Sequence, residues 1–341
     1  MPSAVTTPPR DAPGQCRAIA HSNIALAKYW GKRDVERNLP DVPSLSMTLA
    51  GLSTITRVTF DPSLTSDQFV LNGKLQSAPA AAKVAALLDR VRRAADIQSR
   101  AHVDSENDFP TASGLASSAS GFAALALASS RAAGLHWSAA ALSDLARASS
   151  ASAARSIFGG FVALEAGATE AQTLTAGAAA QGLMMIVAVT DPGPKAIGSS
   201  VAMQLTQASS PYYASFRSSA PAVYAEVRAA LEGGDLERLG QAMEHSTLLM
   251  HACMLAARPA LWYWNAGTLA AVERVRELRQ GGTFAYFTID AGPHVKVLTT
   301  RDQSAQVTAA LSSVPGVLRV ISSGIGAGAH VLEEHESLRA R

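Results

Sequence analysis

Between positions 105 and 121 the chain reads Ser-Glu-Asn-Asp-Phe-Pro-Thr-Ala-Ser-Gly-Leu-Ala-Ser-Ser-Ala-Ser-Gly, an extended run that gives way to small residues and then to the head of an alanine-rich helix. Any fold for this chain must carry a strand into a helix through that turn. Pro110 stops the strand, Gly114 admits a turn closed to other residues, and the hydroxyls of Ser117 and Ser118 can accept from a helix's first free N–H groups. Free amides and the helix dipole favour a polyanion such as a nucleotide's phosphate tail. The Gly-Lys-Ser/Thr ending of a Walker loop is missing, and a simple glycine-and-serine turn capping a core helix also accounts for the stretch by itself. Other segments have to decide.

The elements around this turn set the fold class. Residues 53–60 are rich in β-branched types, and Asn72-Gly73 within 69–74 signals a tight hairpin, so the chain opens as antiparallel sheet. Strands are also expected over 16–20, 101–105, 158–164 and 184–189, and helices over 80–95, 117–133 and 138–148, the last begun by a serine cap. Residues 23–34 mix apolar and functional types without a period, as a site-lining segment would. Asp191-Pro-Gly-Pro-Lys195 breaks regular structure and is the expected boundary between a first lobe, 16–191, and a second, 192–341, after a loose tail over 1–15. From 199 to about 280 the pattern is helical, with Leu236, Leu239 and Met243, then Leu269, Val272, Val275 and Leu278, spaced for one buried face. Strands at 283–289 and 294–299 flank Asp290-Ala-Gly-Pro293, followed by a helix over 302–311 and a strand over 317–322. Strands and helices coexist without regular alternation, which favours α+β over a doubly wound sheet.

Composition narrows the function classes. At 341 residues, 48% hydrophobic and 16% charged, the chain can bury a large core. A net charge of +2 implies no nucleic-acid partner, and the cluster Arg90, Arg92, Arg93 reads as a solvated helix face. Cys16 and Cys253 are too few for a disulfide framework, which fits a reducing cytoplasm. No apolar run is long enough to cross a bilayer and the proline-rich start is no secretory signal, so a soluble protein without a membrane partner is expected.

Three segments bear on one another: the cluster Lys28, Tyr29, Lys32, Arg33; the serine-rich turn; and Asp290 in its Gly-Pro turn. A cation, an anion-binding helix and a lone carboxylate are the minimum for phosphoryl transfer to a hydroxyl. Each has a plainer reading. Asp290 suits a turn in which it bonds its own backbone, and Lys28 with Lys32 suits a surface pair on a short helix.

Four segments together resemble a known family. Asn23-Ile-Ala-x-x-Lys-Tyr-Trp-Gly-Lys-Arg-Asp34, Ser105-Glu-Asn-x-x-Pro-Thr-Ala-x-Gly-Leu-Ala-Ser-Ser-Ala119, Arg155-Ser-Ile-Phe-Gly-Gly160 and Asp290-Ala-Gly-Pro293 are similar to the signature segments of the diphosphomevalonate decarboxylases, members of the galactokinase, homoserine kinase, mevalonate kinase and phosphomevalonate kinase superfamily. The resemblance runs from about 17 to 322. It implies a two-lobed α+β fold with the site in the cleft, and a cytoplasmic homodimer that uses ATP and Mg2+ to convert (R)-5-diphosphomevalonate to isopentenyl diphosphate, ADP, phosphate and carbon dioxide. It implies Asp290 as the catalytic carboxylate beside the C3 hydroxyl, Lys28 close to that chemistry, and Arg155 on the substrate carboxylate with Asn23, Ser150 and Ser152. Tyr29, Trp30, Gly31, Lys32, Ser199 and Ser200 fall on the substrate side. Ser105, Gly114, Leu115, Ala116, Ser117 and Ser118 fall on the nucleotide side, and no metal ligand is identified. The alternatives are a mevalonate 5-phosphate decarboxylase, a mevalonate 3-kinase, or a non-catalytic metabolite-binding protein on the same fold.

The chain departs from that pattern at Val42-Pro43, Asp108, Ala151, Ser200 and His294, which bears on substrate charge and phosphate count. Other features read as structural. Gly324-Ile-Gly-Ala-Gly328 follows the last strand and opens no βαβ unit, and His330-Val-Leu-Glu-Glu-His335 has the wrong spacing for a zinc helix and reads as exposed charge. Trp262, Tyr263 and Trp264 are expected to anchor the helical core, and His251 to be structural.

Overall fold

The computed structural model describes residues 14–109, 117–191, 193 and 197–333. Gly114, Leu115, Ala116, the first thirteen residues of the expected tail, Pro192, Pro194, Lys195 and His335 lie outside them.

The first half is a mixed sheet backed by helices. Its strands are β1 (Gln15–Ala27), β4 (Ser44–Asp61), β5 (Gln68–Leu71), β6 (Lys74–Leu75), β7 (Arg100–Asn107), β8 (Phe161–Leu164) and β9 (Gln172–Leu174), with β2 (Lys32–Asp34) and β3 (Leu39–Pro40) as a separate small pair. Asn72 and Gly73 take positive φ of 49° and 72° in the β5–β6 hairpin, as the Asn-Gly pair demands. Helices α1 (Ala78–Ala95), α2 (Ser117–Ala132) and α3 (Ala139–Ser149) cover one face. Ser138 caps α3 by accepting from the Ala141 N–H. Alanines 123, 124, 126 and 128 let α2 lie close on Ala18, Ala20 and Val58, while Leu87, Leu88 and Val91 of α1 close the layer.

The strand expected over 16–20 runs on to Ala27, so the segment beginning at Asn23 is regular where irregularity was expected. Its pairing with β4 shifts register between His21 and Asn23 and again between Ala25 and Ala27. Burial on both faces hides the alternation that a half-exposed strand would show.

The second half is built on an antiparallel sheet of order β11-β12-β10-β13, comprising β10 (Leu183–Val189), β11 (Tyr286–Ile289), β12 (Val295–Thr300) and β13 (Arg319–Ser323). Helices α4 (Ser199–Ser209), α5 (Tyr213–Gly233), α6 (Leu236–Leu255), α7 (Ala266–Gln280) and α8 (Ser304–Ser312) complete it. Because β10 pairs with β12 and β13, this sheet begins ahead of the boundary expected at Asp191. Val275 and Leu278 of α7 and Val307 and Leu311 of α8 pack on one face; on the other, Met185 and Val187 join Tyr224, Leu239 and Met243 against Leu45 and Met47 of β4. The two halves thus share a core.

Four details differ from expectation. Arg92, expected on a solvated helix face, is buried with its guanidinium paired to Asp67 at 2.8 Å and Asp89 at 2.5 Å. Leu269 is exposed on the outer side of α7, and Trp262 is 64% exposed, with its indole N–H donated to the Trp264 carbonyl; Trp264 instead packs 4.8 Å from the His251 ring. His330 and Val331 form a short strand, β14, on the edge of β1. No helix among the described residues is long and apolar enough to cross a membrane.

Candidate active site

Lys28 follows the last residue of β1, and Asp290 follows the last residue of β11. Strands from opposite ends of the chain bring the Lys28 Nζ within 2.5 Å of Asp290 Oδ1. The Asp290 turn closes through its backbone, Gly292 N–H donating to the Asp290 carbonyl at 2.7 Å, so the carboxylate is free to point inward. The Lys28 amide donates to Ser246 Oγ of α6 at 2.8 Å, and Thr288 of β11 donates to the Ala25 carbonyl at 3.2 Å, which stitches the two strands together. A second ammonium, Lys296 of β12, lies 3.2 Å from Asp290 Oδ2. Both lysines are buried, whereas Asp290 keeps 26% of its side chain exposed, enough to present an edge to a ligand.

Burial alone would push the Asp290 carboxyl up, but the ammonium groups of Lys28 and Lys296 hold it well below the usual carboxylate range. Burial draws Lys28 down to about 8, against the raising effect of Asp290. The Lys28–Lys32 pair is therefore no surface helix pair. Lys28 is internal, and Lys32 stands apart with its Nζ donating to Ser200 Oγ at 3.2 Å.

Arg155 is delivered by a 3-10 turn, Ala151–Ile157, and is buried. Its Nε donates to Ser46 Oγ at 2.9 Å and to Asn23 Oδ1 at 3.2 Å, Nη1 donates to Ser44 Oγ at 2.7 Å, and Nη2 donates to Asn23 Oδ1 at 3.1 Å. Asn23 in turn donates to Ser156 Oγ at 2.7 Å and to the Ser152 carbonyl at 3.0 Å. Burial lowers Arg155 to about 10, so it stays a cation through the neutral range.

A cavity of about 350 Å³ joins these groups. Asn23, Tyr29, Trp30, Lys32, Ser150, Ser152, Arg155, Ser199, Ser200, Ser118 and Asp290 all line it. Of the other expected residues, Lys28 reaches it through Asp290. Gly31 does not line it: with φ at 96°, a Cβ there would fall 1.9 Å from the Tyr213 hydroxyl, so the glycine lets this loop close on α5. A second cavity of about 250 Å³ is lined by Ser105, Ser117 and Ser118 together with Phe69, Leu71, Val84, Val103 and Leu125, and it shares Lys83, Ser118 and Phe122 with the first. Its apolar walls suit a planar base and its serines suit phosphate, so two ligands can meet at Ser118.

Sequence reasoning missed Lys296, Ser44, Ser46 and Gln207. Gln207 of α4 accepts from the Lys32 amide and donates to the Lys32 carbonyl, each at 3.0 Å, fixing the backbone from which that lysine projects. Among the described residues no group of three His, Cys, Asp or Glu could hold a metal ion, and Asp290 is the only carboxylate lining either cavity.

Comparison with known proteins places both halves of the chain in one family. Residues 20–175 match the diphosphomevalonate decarboxylase-like N-terminal domain, and residues 185–329 match the mevalonate 5-diphosphate decarboxylase C-terminal domain. A diphosphomevalonate decarboxylase of Schizosaccharomyces pombe is 31% identical, covering 95% of each chain. A phosphomevalonate decarboxylase of Haloferax volcanii is 34% identical, covering 94% of this chain and 98% of that one. The solved structure of MDDEF in complex with MVAPP, AMPPCP and magnesium superposes with a TM-score of 0.88 at 40% identity, covering 94% of this chain and 100% of the other. With both halves matched in order along nearly its whole length, the chain belongs to the diphosphomevalonate decarboxylase family.

Proposed function

We propose that this chain catalyses the ATP-dependent decarboxylation of (R)-5-diphosphomevalonate to isopentenyl diphosphate, ADP, phosphate and carbon dioxide. The reading rests on one observation: residues 262 positions apart form the Lys28–Asp290 pair at the wall of a cavity that Arg155 also lines. Asp290 accepts a hydrogen bond from the C3 hydroxyl and aims its oxygen at the γ-phosphorus; with its proton affinity depressed, it orients more than it deprotonates. The hydroxyl oxygen bonds to phosphorus as ADP leaves, and its proton passes to a phosphoryl oxygen. Lys28 neutralises the charge that gathers on the transferring group. The C3–O bond of this phosphate ester then breaks, and its electron pair leaves with the departing phosphate. Breaking the C1–C2 bond releases carbon dioxide and supplies the electrons of the C2=C3 double bond.

Arg155 grips the substrate carboxylate with its planar fork, from a frame of Asn23, Ser44 and Ser46. Ser150 and Ser152 flank it. Tyr29, Trp30, Lys32, Ser199 and Ser200 line the substrate's phosphate end, and Ser105, Ser117 and Ser118 the nucleotide side. Magnesium carried on nucleotide phosphates fits a site this poor in carboxylates, where it would neutralise phosphate charge; Ser118, which lines both cavities, and Asp290 would be among the oxygen donors open to it.

A coupled assay of ADP and carbon dioxide with mevalonate, its 5-phosphate and its 5-diphosphate tests the reading. Equal release of both products from the 5-diphosphate supports it. A second reading, decarboxylation of mevalonate 5-phosphate, is favoured by the Haloferax relative and by Ser200 beside Lys32. Preference for the monophosphate would establish it, ADP without carbon dioxide would mean a 3-kinase, and no ATP turnover at all would mean a binding protein. A cytoplasmic homodimer is the assembly expected from the family resemblance, and sedimentation of the purified chain tests the dimer.

A further inference from the structure

The ionic centre holds one lysine for which the proposed chemistry has no task. Lys296 sits on β12, between β11 and β10, with Thr288 and Val187 as its register partners. Its side chain is fully buried, and it takes the Oδ2 of Asp290 at 3.2 Å while Lys28 takes Oδ1 at 2.5 Å. Taking an ammonium out of water is costly unless an anion answers it, and a neutral side chain at this inward position would avoid that cost. The two lysines are also mounted differently. Lys296 projects from a strand bonded along both edges, whereas Lys28 lies just beyond the end of β1.

We propose that Lys296 is a positioning residue for Asp290: the fixed cation that keeps the carboxylate oriented and ionised while Lys28 turns from it to the transferring phosphoryl group. This rests on the reading of Asp290 as the group that orients the C3 hydroxyl. A carboxylate serving Lys28 and a hydroxyl on one oxygen loses a tether when Lys28 moves, and the grip on the other oxygen then sets its plane. The charged and titratable groups around Lys28, Lys296 and Asp290 are Arg155 from the 3-10 turn and His251 from α6, with Tyr29 from the loop after β1 set against Arg155. Burial keeps the Tyr29 phenol protonated and lowers His251 to about 3, so neither changes charge in the neutral range. Lys28 is the group that titrates there, and removing the like charge of Lys296 raises its affinity for a proton.

The experiment compares Lys296→Met and Lys296→Arg in the full chain with ATP, magnesium and (R)-5-diphosphomevalonate. For Lys296→Met, kcat should fall on the order of 100-fold with both KM values within about threefold, and Lys296→Arg should recover at least roughly tenfold of the loss. The alkaline limb of kcat/KM, near pH 8 in the parent, should move upward in Lys296→Met and stay in Lys296→Arg. A folded Lys296→Met with near-parental kcat, or with reduced kcat and an unmoved limb, overturns the proposal. Lys296→Gln replaces Lys296→Met if the latter does not fold; failure of both neutral variants to fold, beside a folded and fully active Lys296→Arg, means that the charge serves the fold and also overturns it. Asp290→Asn separates the two claims. Normal turnover in that variant refutes the reading of Asp290 itself, whereas an inactive Asp290→Asn beside an unimpaired Lys296→Met refutes the Lys296 proposal alone.

Discussion

Two buried cationic regions border the same cavity and are satisfied in opposite ways. At Asp290, two ammonium groups close on one carboxylate, each taking one oxygen. At Arg155, the guanidinium is held by the hydroxyls of Ser44 and Ser46 and the amide oxygen of Asn23, all neutral. Neutral acceptors fix the direction of a fork without cancelling its charge, so Arg155 is prepared for an anion that arrives from outside. The centre at Asp290 already has its anion, and its surplus positive charge suits developing phosphate charge instead. The contrast underlies the division of labour proposed above, with one region to orient and transfer and the other to bind a carboxylate until it leaves as carbon dioxide.

The variants that test this contrast differ in expected size. Asp290→Asn removes the one anion of the closed region, and kcat should drop on the order of 1,000-fold or more while titrations show ATP and substrate binding changed only severalfold. Near-normal kcat would dissolve the distinction. Arg155→Lys keeps charge but loses the fork; we expect kcat/KM for the carboxylate substrate to fall about 100-fold, chiefly through KM, with the KM for ATP steady. An unchanged substrate KM would mean that the neutral frame awaits nothing.

The pH profile sharpens the contrast because only the closed region titrates near neutrality. As pH rises through about 8, Lys28 loses its proton and kcat/KM should decline, while Arg155, at about 10, keeps its charge. The folded pKa of Lys28 lies below the unfolded 10.5, so between about 8 and 10.5 the unfolded chain binds more protons and this group's contribution to stability rises with pH. Activity should fall where thermal stability does not, and a kcat/KM that stays level as pH rises through about 8 and beyond would contradict the assignment. The smallest effect is expected from Gln207→Ala, which frees the Lys32 peptide at the phosphate end: substrate KM should rise roughly three- to tenfold at constant kcat.

Much of this site was legible because its chemistry rides on short contiguous segments. Lys28 with Tyr29 and Trp30, the Arg155 turn and Asp290 before Ala-Gly-Pro each carry their neighbours with them, and their residue types declare a purpose. What stayed hidden lies on strands. Lys296 alternates with Val295 and Val297, and Ser44 and Ser46 alternate with Leu45 and Met47, so each reads as the solvated face of a half-buried strand. Those faces are covered only because the two sheets pack together through α6 and β1, a long-range fact that no local pattern encodes. A lone lysine inside an apolar strand was the available signal. Trp262 erred the other way, an aromatic read as core that points outward while Trp264 does the packing. The helices were closer, since Ser138 and the alanine run of α2 act locally.

The most direct test is a crystal structure of the chain with (R)-5-diphosphomevalonate and a non-hydrolysable ATP analogue. The account predicts the substrate carboxylate on the Arg155 guanidinium and the C3 hydroxyl within hydrogen-bond reach of the Asp290 carboxylate, with the γ-phosphate approaching from the Ser118 side. A diphosphate seated on Arg155, or a C3 hydroxyl remote from Asp290, would contradict it.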